Sequence, residues 1–231
     1  MKWIIISHDR PANLLAVLES ARECLPHTTP HILVSASTDE LYDGYDVVDK
    51  RFAAKWYEEA FRFNMVDGIN MPNAKGTDAT VLITTDTMLF QKRFNPMFAW
   101  NTLQDKTILG MSLLISPTPS ATARYFSGSP EGLQTWMIED QPFSYGAVYR
   151  TSDLLGPLAR NQWDSPCTLK DALNRDPAMR RRARMACLAE APMMEAEPCL
   201  DSVNMLLNGW HIDIDQLREK RVYKWKPYGE E

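Results

Sequence analysis

The chain has 231 residues, 45% of them apolar, with 30 acidic against 25 basic residues and a formal charge of -5. That length supports one large core and excludes two sizeable domains joined by a linker, and that apolar content excludes disorder of the whole. Mild acidity excludes a surface built to cover nucleic-acid phosphates, though not a local basic pocket for one nucleotide.

Trp3 to Ile6 is an apolar run rich in β-branched residues and predicts a buried opening strand. Ser7 to Pro11 breaks it, and a helix starts at Asp9 or Pro11. Leu14, Leu15, Val17, Leu18 and Ala21 carry that helix at its own period to about Leu25. His31 to Val34 predicts a second strand and Ser35 to Asp39 a polar loop, so the chain opens strand–helix–strand, as parallel pairing requires. Asp46 to Val48 predicts a third short strand, and Phe52 to Met65 a helix by its period. Val81 to Ile83 predicts another buried strand. It runs abruptly into Thr84, Thr85 and Asp86, which places Asp86 at the carboxyl edge of the sheet, where open α/β sheets bind ligands.

Ile108 to Ile115 predicts a strand, Phe126 to Trp136 a long loop, and Gly146 to Tyr149 a short strand followed by a cap at Thr151 to Asp153. Residues 161–175 are ambiguous between helix and loop. Residues 178–191 predict a helix, as do Leu200 to Leu207 before Asn208-Gly209, with a last strand at His211 to Ile214. No repeat or linker divides the chain, so residues 1–231 are one domain, with 216–231 a flexible basic-aromatic tail. No apolar stretch reaches the roughly 18 residues of a membrane span, and no signal-peptide pattern opens the chain. The expectation is a cytoplasmic protein that binds no nucleic acid, with peripheral membrane contact open to the tail. Cys24, Cys167, Cys187 and Cys199 form no CxxC pair and read as reduced thiols.

Asp86 is the first candidate for chemistry, as ligand to a divalent cation or as a turn residue. Ser7, Asp9 and Arg10 follow the first strand and share its edge with Asp86. They read either as a capped helix start or as phosphate contacts. Ser37 and Asp39 after the second strand could cradle a nucleoside or form a turn. Gly146 suits close approach of a ligand to backbone, beside Arg150. Trp136 with Glu139 and Asp140 suits a sugar. Glu195, Glu197 and Asp201 form a third acidic group, able to supply a general base or simply the acids of a helix start. His211 is an additional metal ligand or a structural histidine. Arg180 to Arg182 with Arg184 read as a solvated basic face. Neither GxGxxG nor GxxxxGK[ST] occurs, which excludes dinucleotide and P-loop signatures.

Taken together, IIISHDRPANLLAVLESA, LVSASTDE, NAKGTDATVLITTD, YGAVYRTSDLLGPL and EPCLDSVNMLLNGWHI resemble segments of the GT-A-type glycosyltransferases, family 2-like members in particular. The resemblance implies an α/β fold of the nucleotide-diphospho-sugar transferases, with a mostly parallel central sheet and helices on both faces. It implies a UDP- or GDP-sugar donor, an assisting Mn or Mg, and a glycan, lipid-linked or protein acceptor hydroxyl. The implied reaction is inverting transfer. It sets Asp86 as the last aspartate of an Asp-x-Asp motif, with Asp86 and His211 on the metal. Ser7, Asp9, Arg10, Ser37, Asp39, Lys75, Thr84, Asp86, Gly146 and Arg150 fall on the donor, and Glu197, Asp201 and Asp140 are catalytic carboxylates. The chain departs from the pattern at Thr84 and Thr85 for the earlier motif positions, Ser35 for a nucleoside-contacting aspartate, and Pro198 in the late acidic pair. Two alternatives stay open: a nucleotidyltransferase-like enzyme, and an inactive carbohydrate- or protein-binding relative.

Overall fold

A computed structural model describes residues 1–58, 80–114, 124–125, 132–138, 142–197, 202–220 and 224–228. Its centre is a nine-stranded sheet in the order β3-β2-β1-β4-β9-β6-β10-β8-β7. The strands are β1 (Lys2–His8), β2 (Pro30–Ser35), β3 (Lys55–Glu58), β4 (Thr80–Thr85), β6 (Ile108–Ser112), β7 (Arg124–Tyr125), β8 (Leu133–Met137), β9 (Ala147–Arg150) and β10 (Arg184–Leu188). β3, β2, β1 and β4 pair in parallel, as do β6 and β10, while β9 and β8 run against the rest. This is the α/β sheet expected from the sequence, mostly parallel in direction.

Period-two alternation in β1 divides the core into two layers. Trp3 and Ile5 pack with Leu14, Leu15 and Leu18 of helix α1 (Pro11–Cys24) on one face. Ile4 and Ile6 pack on the other with Leu154 and Leu158 of α4 (Thr151–Arg160) and Leu169 and Leu173 of α5 (Pro166–Arg175). A strand buried on both faces needs the continuous apolar run that made β1 legible. Helix α2 (Asp39–Asp49) joins the α1 face, and the short α3 (Pro96–Thr102) precedes β6. A second ribbon pairs β5 (Met88–Phe90) with β11 (Met193–Glu195). A third pairs β12 (Trp210–Ile212) with β13 (Trp225–Pro227). Helices α6 (Val203–Leu207) and α7 (Ile214–Lys220) flank β12. The end of the chain is thus partly tied down: β13 pairs with β12, and the Arg218 guanidinium donates to the carbonyls of Phe90 and Ser20 at 2.9 Å each.

Several elements differ from expectation. Residues 46–48 lie inside α2, which Thr38 caps by accepting from the Leu41 amide at 3.4 Å; Tyr45 and Val48, three apart, form its buried stripe. Residues 55–58 are an edge strand paired with β2 rather than helix, because Trp56 and Tyr57 alternate across the pleat; residues 59–65 of the expected helix lie outside the described residues. Residues 184–188 are strand rather than helix, and the helical turn before them is confined to Pro177–Arg180. Met185, Ala186 and Cys187 are buried between β6 and β8, so tertiary pairing overrides a helix-favouring arginine run. Residues 133–136 of the expected loop belong to β8. The ambiguous stretch resolves at α5, where Ser165 and Thr168 form a capping box before Pro166 at the first turn.

Gly110 sits opposite Tyr149 across β6 and β9, and a Cβ there would lie 2.6 Å from Tyr149 Cε1. Tyr149 cannot yield. It is fully buried, stacks on Phe143, and its hydroxyl accepts from the Ser144 amide at 2.8 Å. Burial pushes its phenol up to about 12, so it stays a neutral donor. Gly110→Ala should therefore cost about 1–3 kcal/mol by overpacking. That would appear as a fall of roughly 2–4 °C in Tm per kcal/mol by calorimetry. An unchanged Tm would show that the sheet relaxes here.

Candidate functional site

The carboxyl ends of β1 and β4 and the amino end of antiparallel β9 meet at one edge of the sheet. Asp86 follows β4, with its amide on the Ile6 carbonyl at 3.2 Å, and it is 3% exposed. Its Oδ2 accepts from Ser7 Oγ at 2.8 Å and from the His8 amide at 3.2 Å, and its Oδ1 faces Arg10 Nη1 at 3.5 Å. Ser7 Oγ also lies 2.7 Å from Tyr45 Oη, which accepts from the Arg10 amide at 3.1 Å. A serine hydroxyl has one hydrogen, and Ser7 uses it on Asp86, so Tyr45 donates to Ser7. The bonds run Arg10 N–H to Tyr45, Tyr45 to Ser7, Ser7 to Asp86, and the carboxylate is the terminal acceptor that orients the chain. Burial pushes the Tyr45 phenol up, and the bonds to Ser7 and Arg10 offset this in part. Burial also pushes the Asp86 carboxyl above its usual range, against the pull of Ser7, Arg10 and His8.

The neighbouring loop is held by Asp9, whose backbone is left-handed at φ 57, a conformation aspartate tolerates better than most residues. Its Oδ1 accepts from the Ser37 amide at 2.7 Å, and His8 Nδ1 lies 2.6 Å from Ser35 Oγ. Two loops, after β1 and after β2, are locked together in this way.

Beside Asp86 opens a pocket of about 480 Å³. Its lining includes Arg10, Thr85, Asp86 and Thr87, Glu195 on the strand paired next to Thr87, and Tyr145, Cys167 and Lys170. That volume lies within the range of small-ligand sites. Tyr145 donates to the Pro166 carbonyl at 2.5 Å, which fastens the loop before β9 to the amino end of α5. Glu195 is carried in by the β5–β11 pairing, opposite Met88. The side chains of Lys170 and Glu195 have no hydrogen-bond or ion-pair partner among the described residues.

The structure brings Ser7, Asp9, Arg10, Ser37 and Asp86 into one connected cluster, of which Arg10 and Asp86 reach the pocket wall. Asp39 is exposed in the first turn of α2. Thr84 turns to the opposite face of β4, where its hydroxyl accepts from the Trp3 indole at 3.0 Å. Gly146 is buried at φ 73, a left-handed backbone, and a Cβ there would lie 3.0 Å from Leu114 Cβ, so conformation and packing both call for glycine. Arg150 caps the far end of β9, donating to the carbonyls of Ile108 and Asp105 and to Asp153. His211 Nδ1 pairs with Glu19 Oε1 at 3.0 Å on α1. Glu19 is nine residues beyond Arg10, or roughly 13 Å along the helix, so His211 and Asp86 do not share a site. Glu197 is exposed just past β11 and outside the pocket lining. Lys75, Asp140 and Asp201 lie outside the described residues.

A divalent cation asks for about six oxygen ligands, some of them from substrate phosphates. Among the described residues no three His, Cys, Asp or Glu converge. The Asp86 carboxylate is already committed to two donors and faced by a guanidinium. Thr85 and Thr87 bond each other at 3.0 Å. The donor set described does not fit a metal.

Tyr45, Lys170 and Cys167 escape sequence reasoning. The Ser165-Pro166 cap signature marks the start of α5, but nothing local says that it faces Asp86.

No family model and no curated protein matches the chain. Solved structures resemble it in the course of the chain. S. aureus TarS 1-349 is 15% identical at a TM-score of 0.49, over 84% of this chain and 60% of its own. The mannosyltransferase PcManGT from Pyrobaculum calidifontis, solved with GDP-Man and Mn2+, is 16% identical at a TM-score of 0.47, over 74% and 50%. The 4-diphosphocytidyl-2C-methyl-D-erythritol synthase of Anaerococcus prevotii is 7% identical at a TM-score of 0.44, over 89% and 94%. The chain spans only about 60% of the TarS fragment it resembles.

Proposed function

We propose that the protein is a sugar-nucleotide-dependent glycosyltransferase whose donor, a UDP- or GDP-sugar, occupies the pocket beside Asp86. One observation carries this reading: two cations, Arg10 and Lys170, and one carboxylate, Glu195, whose side chain has no partner among the described residues, line the same pocket at the carboxyl edge of the sheet. Cations suit a leaving diphosphate, and a carboxylate free of partners suits proton removal from an acceptor hydroxyl. In the proposed step the acceptor oxygen bonds to the anomeric carbon as its proton passes to Glu195. The carbon–oxygen bond to the diphosphate breaks, and its electron pair leaves with the nucleotide. A single displacement of this kind inverts the anomeric centre. Asp86 is not the base, because its Oδ2 already accepts two hydrogen bonds. The acceptor class, whether glycan, lipid-linked or protein, follows the resemblance alone.

Cys167 offers the test. It is exposed on the pocket wall, whereas Cys24 and Cys187 are buried and their thiols are pushed up by burial, Cys187 to about 11. Maleimide should label Cys167 readily, and saturating UDP or GDP should slow that labelling about tenfold or more by covering the pocket. Peptide mapping separates Cys167 from Cys199. Unchanged labelling with both nucleotides would remove the donor from this pocket.

A further inference from the structure

Resting on that reading, we propose that Arg10 and Lys170, rather than a divalent cation, balance the charge of the donor's diphosphate. The argument begins at Asp86, the residue best placed to hold a metal. Its Oδ2 accepts from Ser7 Oγ at 2.8 Å and from the His8 amide at 3.2 Å. Its Oδ1 is met by Arg10 Nη1 at 3.5 Å. A cation brought to that oxygen would stand against a guanidinium that cannot lose its proton. The Thr85 and Thr87 hydroxyls, the next oxygens on the wall, are paired with each other. That leaves Glu195, on β11, as the remaining carboxylate of the lining.

The positive charge a metal would bring is already present. Arg10 spends one nitrogen on Asp86, and its side chain remains 38% exposed, so the rest of its fork is open to phosphate oxygens. Lys170 lines the same pocket from α5, with no ion-pair partner among the described residues. Asp86 then has a different task from a motif aspartate: it aims Arg10. The same assignment accounts for Thr84, which faces the core and bonds Trp3, where the resembling family has a carboxylate.

Calorimetric titration of UDP and GDP, in EDTA and in Mn2+, tests this. The nucleotide that binds should show Kd values within about threefold in the two buffers. Lys170→Ala, on a half-buried helical position, should fold normally and weaken binding about tenfold or more in EDTA. Arg10→Ala should do the same, with Arg10→Lys recovering part of the loss and separating charge from folding. Binding confined to Mn2+ buffer overturns the inference and leaves the glycosyltransferase reading standing. Equal binding by wild type, Lys170→Ala and Arg10→Ala also overturns it. No binding of either nucleotide in either buffer overturns both.

Discussion

Asp86→Ala should destabilise the protein by about 1–3 kcal/mol and weaken nucleotide binding about tenfold or more, as loss of Arg10 itself does. The loss of stability follows from the order of the bonds. Arg10 N–H, Tyr45 and Ser7 donate in turn toward this carboxylate, so removing it strands the buried Ser7 hydroxyl and leaves the partly buried His8 amide without its acceptor. The cost is moderate, because the Arg10 side chain is 38% exposed and finds water when its partner goes. Binding suffers more, since the loop that carries Arg10 loses its anchor. Asp86→Asn separates the two effects. Its carbonyl can still accept from Ser7 and His8, but its amide would point N–H groups at the guanidinium. Asn should therefore keep most of the stability and lose most of the binding.

The pH dependence distinguishes the variants further. Burial, the largest influence, raises the Asp86 carboxyl above 3.8 in the folded protein. Over the window from 3.8 up to that raised value the folded state holds more protons than the unfolded state. The proton-linked part of the Asp86 contribution is therefore complete below 3.8 and is lost as pH rises through the folded value, while the bonds from Ser7 and His8 remain to the ionised carboxylate. Urea titrations across that range should show this slope in the wild type and not in Asp86→Asn. Parallel slopes in the two proteins would place the carboxylate in a more hydrated setting than the structure gives it.

The contrast between legible and illegible parts is local against non-local. β1, β2 and β4 could be read because a strand buried on both faces must be apolar throughout, and each ends at a polar residue where the sheet ends. That same rule put Asp86 and Arg10 at one edge. Strands such as β10 and β8 were illegible, because their residues are committed by neighbours distant in sequence rather than by their own pattern. Tyr45 illustrates the limit at the site. In sequence it is one aromatic in an acidic helix; in the fold it completes a bond chain with Ser7, 38 residues away. Thr84 and Gly146 show the converse. Both occupy positions suited to ligand contact, yet in the fold the Thr84 hydroxyl bonds the buried Trp3 indole, and a left-handed backbone beside Leu114 calls for glycine at 146.

Glu195→Gln should lower kcat by about 10²- to 10⁴-fold and leave nucleotide affinity unchanged. Of the two described acidic residues at 195 and 197, Glu195 is the one on the pocket wall, held there by the pairing of β11 with β5 and the Ala196 amide on the Thr87 carbonyl at 2.8 Å. Its side chain is exposed and bonds to none of the described residues, so Gln fits the same space and stability should not move. What Gln lacks is the capacity to take a proton. Release of UDP or GDP from the sugar nucleotide, with water as surrogate acceptor, reads that loss without knowledge of the natural acceptor. Glu195→Ala adds a second check, because it opens room for a small carboxylate: formate should restore part of the rate if the missing group is a base, and none if Glu195 only shapes the wall. Were Glu195→Gln to turn over normally while Glu197→Gln or Asp201→Asn failed, proton removal would belong to the segment after β11, and the pocket carboxylate would be left to contact the sugar.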